Sequence, residues 1–196
     1  MGVGEVKDMK ISHQLPVLIC VDIQLGFLDE DYWGGNRNNR NAEEICARII
    51  QKWRQFDLDI IHVRHSSTNP ESKLHKDDKG FEFNPLCAPR KEEIVITKSV
   101  NSCFIGTNLK SILNEKDCET VVIVGLTTDH CVSTTTRMAG NYGFKTYLIS
   151  DATATFDKKG VNGEKYDSNL IHKTALASLN DEFADVLSSA DLLKLL

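Results

Sequence analysis

Three features that mark common protein classes are missing from this chain of 196 residues. Its 23 Lys and Arg residues do not outnumber its 28 Asp and Glu residues, and the net charge of −5 argues against a nucleic-acid partner, which needs a basic face. No apolar run approaches the roughly 18–20 residues that span a bilayer. Residues 1–14 contain no apolar core like that of a secretion signal. We therefore expect a cytoplasmic protein that binds neither nucleic acid nor a membrane.

Closely spaced cysteine pairs are also missing. The sequence has no CxxC motif, and although an even number of cysteines could suggest disulfides, there is no secretion signal to go with them. In a reducing cytosol we expect free thiols that are mostly buried as small apolar residues. The six cysteines are Cys20, Cys46, Cys87, Cys103, Cys118 and Cys131.

Short apolar runs alternate with amphipathic stretches along most of the chain. Such an order predicts a parallel sheet with right-handed crossovers and helices on both faces. We expect a three-layer α/β/α, Rossmann-like fold with a mostly parallel six-stranded sheet, in a single domain over residues 14–196 after a flexible tail over residues 1–13. Strands are predicted in 15–24, 58–65, 93–98, 120–125 and 145–150, and helices in 42–56, 108–117 and 168–179. Residues 126–143 are predicted to form a turn and then a helix that stops near Gly140 or Gly143, and residues 182–196 a last short strand and a C-terminal helix.

Two local features refine this prediction. Asn41 precedes a helix whose buried face carries Ile45, Ile49 and Trp53, and it is predicted to be the N-cap of that helix. Residues 66–93 hold three of the four prolines and show no sustained periodicity. A loop of this length in a compact domain usually covers an active site or binds a ligand, so we expect it to shape a functional site.

Three residues with complementary chemistry stand at predicted strand ends. Asp22 ends the first strand, Lys98 ends the third, and Cys131 follows the fourth at the start of a helix. In open parallel sheets, functional sites form beyond the carboxyl ends of the strands. We expect the helix N-terminus and the Lys98 ammonium to lower the pKa of the Cys131 thiol, and Asp22 to accept the thiol proton and later pass it to a leaving amine.

The segments around these residues resemble a known family. The segments VDIQLGF (21–27), ITKSVNSCFIGT (96–107), VGLTTDHCVSTT (124–135) and SDATATF (150–156) are similar to the signature regions of the isochorismatase-like cysteine hydrolases. That superfamily includes nicotinamidases, N-carbamoylsarcosine amidases and isochorismatases. The resemblance extends over roughly residues 15–190.

The resemblance implies specific roles for residues of this chain. It makes Asp22, Lys98 and Cys131 the catalytic triad. It also places a non-proline cis peptide between Leu126 and Thr127. That bond would direct the Thr127 N–H, together with the Cys131 N–H, toward the substrate oxygen as an oxyanion hole.

The resemblance also narrows the reaction. Isochorismatases cleave a vinyl ether and tend to lack the cysteine, whereas Cys131 is present here. Nicotinamidases carry an Asp-x-His metal motif after the second strand, where this chain has Ser67 and Asn69, and neither His65 nor His75 restores the spacing. We therefore expect no catalytic metal and no cofactor. The expected reaction is cleavage of a C–N bond in a small amide, carbamoyl or ureido compound through a thioester, with isochorismatase-type and nicotinamidase-type hydrolysis as alternatives in the same superfamily.

The substrate pocket is predicted from position beside the triad, in keeping with the apolar lining of most small-molecule sites. The family often forms dimers or tetramers, so the resemblance implies a homo-oligomer. The candidate substrate-binding residues are Gln24, Phe27, Trp33, His65, Phe81, Phe104 and Thr128.

Two more distant alternatives remain. His130, Cys131 and Arg137 match the HCx5R pattern of cysteine phosphatases, although the intervening residues contain no glycine and include four β-branched residues, which suit an anion-binding loop poorly. A non-enzymatic redox-sensing domain would pair Cys131 with Cys103. A dinucleotide-binding role lacks its GxGxxG fingerprint after the first strand.

Overall fold

A computed structural model describes residues 15–196, so the tail predicted for residues 1–13 lies outside the described residues. The described chain forms a six-stranded sheet in which all neighbouring strands run parallel, in the order β3-β2-β1-β4-β5-β8. These strands are β1 (Val17–Val21), β2 (Ile60–His65), β3 (Ile94–Lys98), β4 (Thr120–Leu126), β5 (Lys145–Ala154) and β8 (Asp185–Leu187). A small antiparallel hairpin adds β6 (Lys158–Lys159) and β7 (Lys165–Tyr166). The predicted fold class is confirmed.

Helices cover both faces of this sheet. They are α1 (Glu30–Trp33), α2 (Ala42–Gln55), α3 (Leu109–Glu115), α4 (Ser133–Asn141), α5 (Ser168–Leu179) and α6 (Ser189–Leu195). One core cluster joins a face of the sheet to α3, α4 and α5, and a second joins the other face to α2 and α6. Within residues 15–196, no helix has the length and apolar character that crossing a membrane requires.

The central strand β1 contributes to both layers because successive side chains of a strand point to opposite faces. Ile19 and Val21 pack in the cluster with α3, α4 and α5, whereas Leu18 and Cys20 pack in the cluster with α2 and α6. A strand buried on both faces has no polar alternation, which is why its sequence is one continuous apolar run.

The order of the strands reverses between β1 and β4. In doubly wound sheets the crevice at such a switch point is where ligands bind. Gly125 allows these two strands to approach closely there, since its φ is +121° and a Cβ at this position would overlap the carbonyl oxygen of Val21. The chain segments that follow β1 and β4 therefore face each other across the crevice.

Asn41 occupies the predicted N-cap position of α2, and its carbonyl accepts a hydrogen bond from the Ile45 N–H at 3.1 Å. The helix begins at Ala42 as expected, but the Asn41 side chain makes no capping hydrogen bond. In the first turn, Glu43 forms a buried bidentate ion pair with Arg37, with N–O distances of 2.8 and 2.6 Å. This ion pair links the first turn of α2 to the preceding loop.

The long segment over residues 66–93 is anchored at its C-terminal end by a partly buried ionic network. Glu93 accepts hydrogen bonds from Arg54 at 2.7 and 2.9 Å and from the Arg90 backbone at 2.8 Å, and His62 Nε2 lies 2.8 Å from it. Burial would raise the pKa of Glu93, but these partners hold it at about 2. The network joins α2, β2 and the end of the segment.

We expect Glu93→Gln to lower the free energy of unfolding at pH 7 by about 1–3 kcal/mol, because Arg54 and His62 lose a charged partner. The folded-state pKa of Glu93 lies below its ordinary value of 4.5, so its contribution is complete above pH 4.5 and is lost as the pH falls toward 2. The difference between wild type and variant should therefore shrink in that range. Urea unfolding at pH 7 and pH 3 measures it, and Glu92→Gln, at the exposed neighbouring residue, is the control.

Candidate active site

The three strand-end residues predicted from the sequence meet at the crevice. The ammonium Nζ of Lys98 lies 2.6 Å from Asp22 Oδ2 and 3.3 Å from Cys131 Sγ. The Asp22 and Lys98 side chains are both fully buried. Parallel pairing of β1 with β2 and of β2 with β3 brings the first two together, although 76 positions separate them in the chain.

Asp22 stands where β1 ends and the chain turns into the left-handed region, with φ of +50°. Aspartate is among the few residues that tolerate this region. Only one of its carboxylate oxygens is occupied: Oδ2 accepts from Lys98, whereas Oδ1 is buried with no hydrogen-bond partner among the described residues. Asp22 therefore offers a free acceptor inside the site.

The sequence suggested that Cys131 lies in the first turn of an α-helix, but the structure differs. The residue lies in a π-helical turn over Thr128–Val132, which precedes α4. In this turn the Val132 N–H donates to the Thr127 carbonyl at 3.2 Å. The peptide bond between Leu126 and Thr127 is cis. Turns of this type are frequent at functional sites.

The electrostatic balance at Cys131 is opposite to the prediction. Burial and the Asp22 charge raise the pKa of the thiol far above its ordinary value, and they outweigh the opposing effect of Lys98. For Lys98, burial would lower the pKa, but Asp22 and the neighbouring thiols raise it. In the resting site the lysine is charged and the cysteine is a thiol, so a proton must leave Sγ before it can attack.

A cavity of about 210 Å³ opens beside Cys131. One wall is aromatic: the rings of Phe27 and Trp33 lie 4.7 Å apart, and the indole N–H of Trp33 is taken by the Gly26 carbonyl at 2.7 Å. Trp33 therefore presents an apolar ring surface to the cavity. The residues lining it are Phe27, Trp33, His65, Ser67, Ser72, Leu74, Asn101, Thr127, His130, Cys131 and Lys158.

Three of the seven predicted substrate-binding residues, namely Phe27, Trp33 and His65, line this cavity. Gln24 and Phe81 do not line it. Gln24 is fully buried behind the wall, where its amide nitrogen donates to the carbonyls of His65 (3.0 Å) and Phe81 (2.9 Å) and its oxygen accepts from the His65 N–H (2.7 Å). The side chain of Phe81 instead packs under the Arg64 guanidinium, 4.3 Å from the ring.

Phe104 and Thr128 also lie away from the cavity. Phe104 packs against the rings of Tyr142 and Phe144, with centroids 5.2 and 6.2 Å away, in the core beside α4. Thr128 is fully buried, and its hydroxyl lies 2.9 Å from His172 Nδ1. Neither residue lines the cavity, although each lies within six positions of a residue of the predicted triad.

Several cavity residues carried no recognisable signal in the sequence. Lys158 comes from the β6–β7 hairpin, and its ammonium lies 3.3 Å from Asp129 in the turn that carries Cys131. Asn101 follows β3, and Ser72 and Leu74 belong to the 66–93 segment, which therefore does shape the site. Of these features, the sequence predicts only the role of the 66–93 segment, from its length and its lack of periodicity.

Among residues 15–196, one group of side chains has metal-ligand chemistry and suitable spacing: Asp22, His65 and Cys131. All three contact the Lys98 ammonium, with His65 Nδ1 at 3.1 Å, so a metal ion would have to displace the lysine. Of the two residues at the places of the nicotinamidase motif, Ser67 lines the cavity and Asn69 does not. Neither is a strong ligand for zinc or iron.

The geometry opposes both distant alternatives. Arg137 lies within α4, 4.8 Å from the Phe183 ring, and it does not line the cavity. Because Ser133–Arg137 are helical, their N–H groups do not converge on an anion as a phosphatase loop requires. Cys103 is fully buried, and burial raises its pKa to about 12, which disfavours the reactive thiolate of a redox sensor. All six cysteines are free.

Comparison with known proteins agrees with this geometry. The family model described as the isochorismatase domain matches residues 16–191. The isochorismatase family protein YrdC of Bacillus subtilis is 49% identical over 176 residues, which cover 90% of this chain and 93% of the relative. The crystal structure of an isochorismatase-family hydrolase from Chromobacterium violaceum superposes with a TM-score of 0.88 at 39% identity, covering 93% and 94% of the two chains. A nicotinamidase of Acinetobacter baylyi is 27% identical over 181 residues, covering 73% of this chain and 83% of the enzyme.

Proposed function

The chain belongs to the isochorismatase family of hydrolases, and from this premise we propose that it cleaves a C–N bond in a small amide, carbamoyl or ureido compound through a thioester on Cys131. The observation that carries the proposal is the contact of one buried ammonium with both a carboxylate and a thiol: Lys98 lies 2.6 Å from Asp22 and 3.3 Å from Cys131. This arrangement joins a nucleophile, a proton acceptor and a fixed positive charge.

In the first half-reaction, Asp22 takes the thiol proton as Cys131 Sγ attacks the substrate carbonyl carbon. Its Oδ1 is the oxygen without a partner and therefore the one available for that proton. The backbone N–H groups of Thr127 and Cys131 hold the oxyanion of the tetrahedral intermediate. The C–N bond then breaks as the protonated Asp22 gives its proton to the leaving amine, and a thioester remains.

In the second half-reaction, water attacks the thioester carbonyl and passes a proton to Asp22. The C–S bond breaks, and Sγ recovers the proton from Asp22 as the carboxylic or carbamic acid leaves. Lys98 keeps its charge throughout and offsets the negative charge that moves between Asp22 and Sγ. Its pKa, raised by Asp22 and the thiols against the effect of burial, is consistent with that role.

The cavity suits a small substrate with an apolar acyl portion. Its volume of about 210 Å³ and the wall formed by Phe27 and Trp33 favour a flat or compact group over an extended one. Ser67, Ser72 and Asn101 add uncharged hydrogen-bonding groups to the lining. Cys131 beside the cavity favours amide cleavage over the vinyl-ether cleavage of isochorismatases, and Lys98 at the centre of the candidate metal ligands disfavours the nicotinamidase alternative.

Incubating the protein with a panel of small primary amides, carbamoyl compounds and ureido compounds tests this proposal. We expect release of ammonia or amine, and acid-quenched samples should show an acyl adduct that peptide mapping places on Cys131. The adduct should disappear with hydroxylamine, which cleaves thioesters. Absence of both amine release and an adduct across the panel would contradict the proposed reaction.

A further inference from the structure

We propose that His65 is a positioning residue of this site: its Nδ1 accepts the third N–H of Lys98 and thereby anchors the ammonium between Asp22 and Cys131. The inference rests on the proposed function, because it describes how the same site is ordered. It gives the site a fourth member beyond the three strand-end residues.

The hydrogen-bond count of Lys98 carries the proposal. An ammonium has three donors and no acceptor. The structure supplies three acceptors: Asp22 Oδ2 at 2.6 Å, His65 Nδ1 at 3.1 Å and Cys131 Sγ at 3.3 Å. Without the histidine, one N–H of a buried ammonium would have no partner. The ammonium would then be held by two hydrogen bonds in place of three, with one donor left unsatisfied in a buried site.

The contact also fixes the state of the imidazole. Because the ammonium can only donate, Nδ1 must be the unprotonated nitrogen, and Nε2 carries the hydrogen. Parallel pairing places His65 directly beside Lys98 in the register of β2 and β3. Two backbone hydrogen bonds to the buried amide of Gln24, at 2.7 and 3.0 Å, hold His65 in place. A hydrogen bond with the Val100 backbone acts to raise the pKa of His65, against the larger effect of burial.

Protonation of His65 would break this arrangement, because Nδ1–H would then face another cation. The charged and titratable groups around the ring are Asp22, Lys98 and Cys131, with His130 and Lys158 across the cavity. Burial and Lys98 lower the pKa of His65 below its ordinary value of 6.5, against the opposing effect of Asp22. The neutral ring is therefore the form present at neutral pH, and the site should lose its order in acid.

Two variants separate the hydrogen bond from the volume of the ring. His65→Asn keeps an oxygen acceptor near the place of Nδ1 but cannot be protonated, whereas His65→Leu fills the space without an acceptor. We expect His65→Leu to lower kcat about 10- to 100-fold, the effect of losing one hydrogen bond to a charged group, with KM within about 3-fold. His65→Asn should keep kcat within about 3-fold of wild type and lose the decline of kcat below pH 6.5. His130→Asn, at the other imidazole of the cavity wall, should retain that decline.

A measurement without substrate makes the outcome independent of the proposed reaction. At pH 8, alkylation of Cys131 by iodoacetamide, followed by peptide mass spectrometry, should be about 10-fold slower in His65→Leu than in wild type, and near the wild-type rate in His65→Asn. Circular dichroism confirms that both variants are folded. If no amide is hydrolysed but the alkylation rates follow this order, the proposed reaction fails and the role of His65 stands. Equal alkylation rates in all three proteins, or an unchanged acid limb in His65→Asn, would overturn the role of His65.

Discussion

Cys131→Ala is expected to abolish turnover, with kcat falling at least ~10⁴-fold, because the variant lacks the atom that forms the thioester. Cys131 is buried against the core. Of the cysteines in residues 15–196, it is the one that lines the cavity. Removing Sγ leaves the Asp22–Lys98 ion pair in place, so the fold should be retained. Substrate should still bind, and equilibrium dialysis of a hydrolysable amide with the inactive variant measures that directly.

Cys103→Ala is the matched control. Cys103 is a second buried thiol whose pKa is also influenced by Asp22 and Lys98, but it does not line the cavity. We expect this variant to keep both turnover and the acyl adduct, with a loss of stability of about 1 kcal/mol for the vacated volume. An adduct on Cys103, or turnover that survives in Cys131→Ala, would contradict the assignment of the nucleophile.

Much of the fold could be predicted because each strand has a distinct pattern. The apolar run around β1 is continuous because both of its faces are buried, and the run ends at Asp22, where the chain leaves the sheet. Parallel topology then brings the ends of β1, β3 and β4 to one edge. That rule needs only the strand boundaries, and this is why Asp22, Lys98 and Cys131 could be placed together from the sequence.

The wall of the cavity could not be predicted in the same way. Gln24 and Phe104 are close in sequence to catalytic positions, but their side chains point into the core, since direction depends on the local turn geometry. Conversely, Lys158 lies 27 positions beyond Cys131 and reaches the cavity from a hairpin with two-residue strands. Such short strands carry no periodic signal, and their position depends on packing against Gly34, where a Cβ would overlap the Asp157 carbonyl oxygen.

The protonation state of the nucleophile shows a further limit. Sequence position suggested two effects that lower the pKa of Cys131, a helix N-terminus and a lysine. The opposing effects, burial and the charge of Asp22, depend on how deeply the site lies in the folded protein. Burial of that depth results from how the whole domain packs. The local sequence therefore cannot tell whether the pKa of Cys131 is raised or lowered overall.

Lys98→Met is the second variant with a large expected effect, and it should change stability as well as activity. The substitution keeps an unbranched side chain but leaves the fully buried Asp22 carboxylate without its ion-pair partner. Breaking a buried pair in this way costs about 3–5 kcal/mol. We expect that loss in the free energy of unfolding at pH 7, measured by urea denaturation, together with loss of turnover.

The double variant Asp22→Asn/Lys98→Met separates these two effects. It removes both charges, so most of the lost stability should return, because replacing a buried ion pair by uncharged groups is far less costly than leaving one charge alone. Turnover should stay absent, since the proton acceptor is missing as well. If Lys98→Met were as stable as wild type at pH 7, the buried contact between Asp22 and Lys98 would not be the interaction that orders this site.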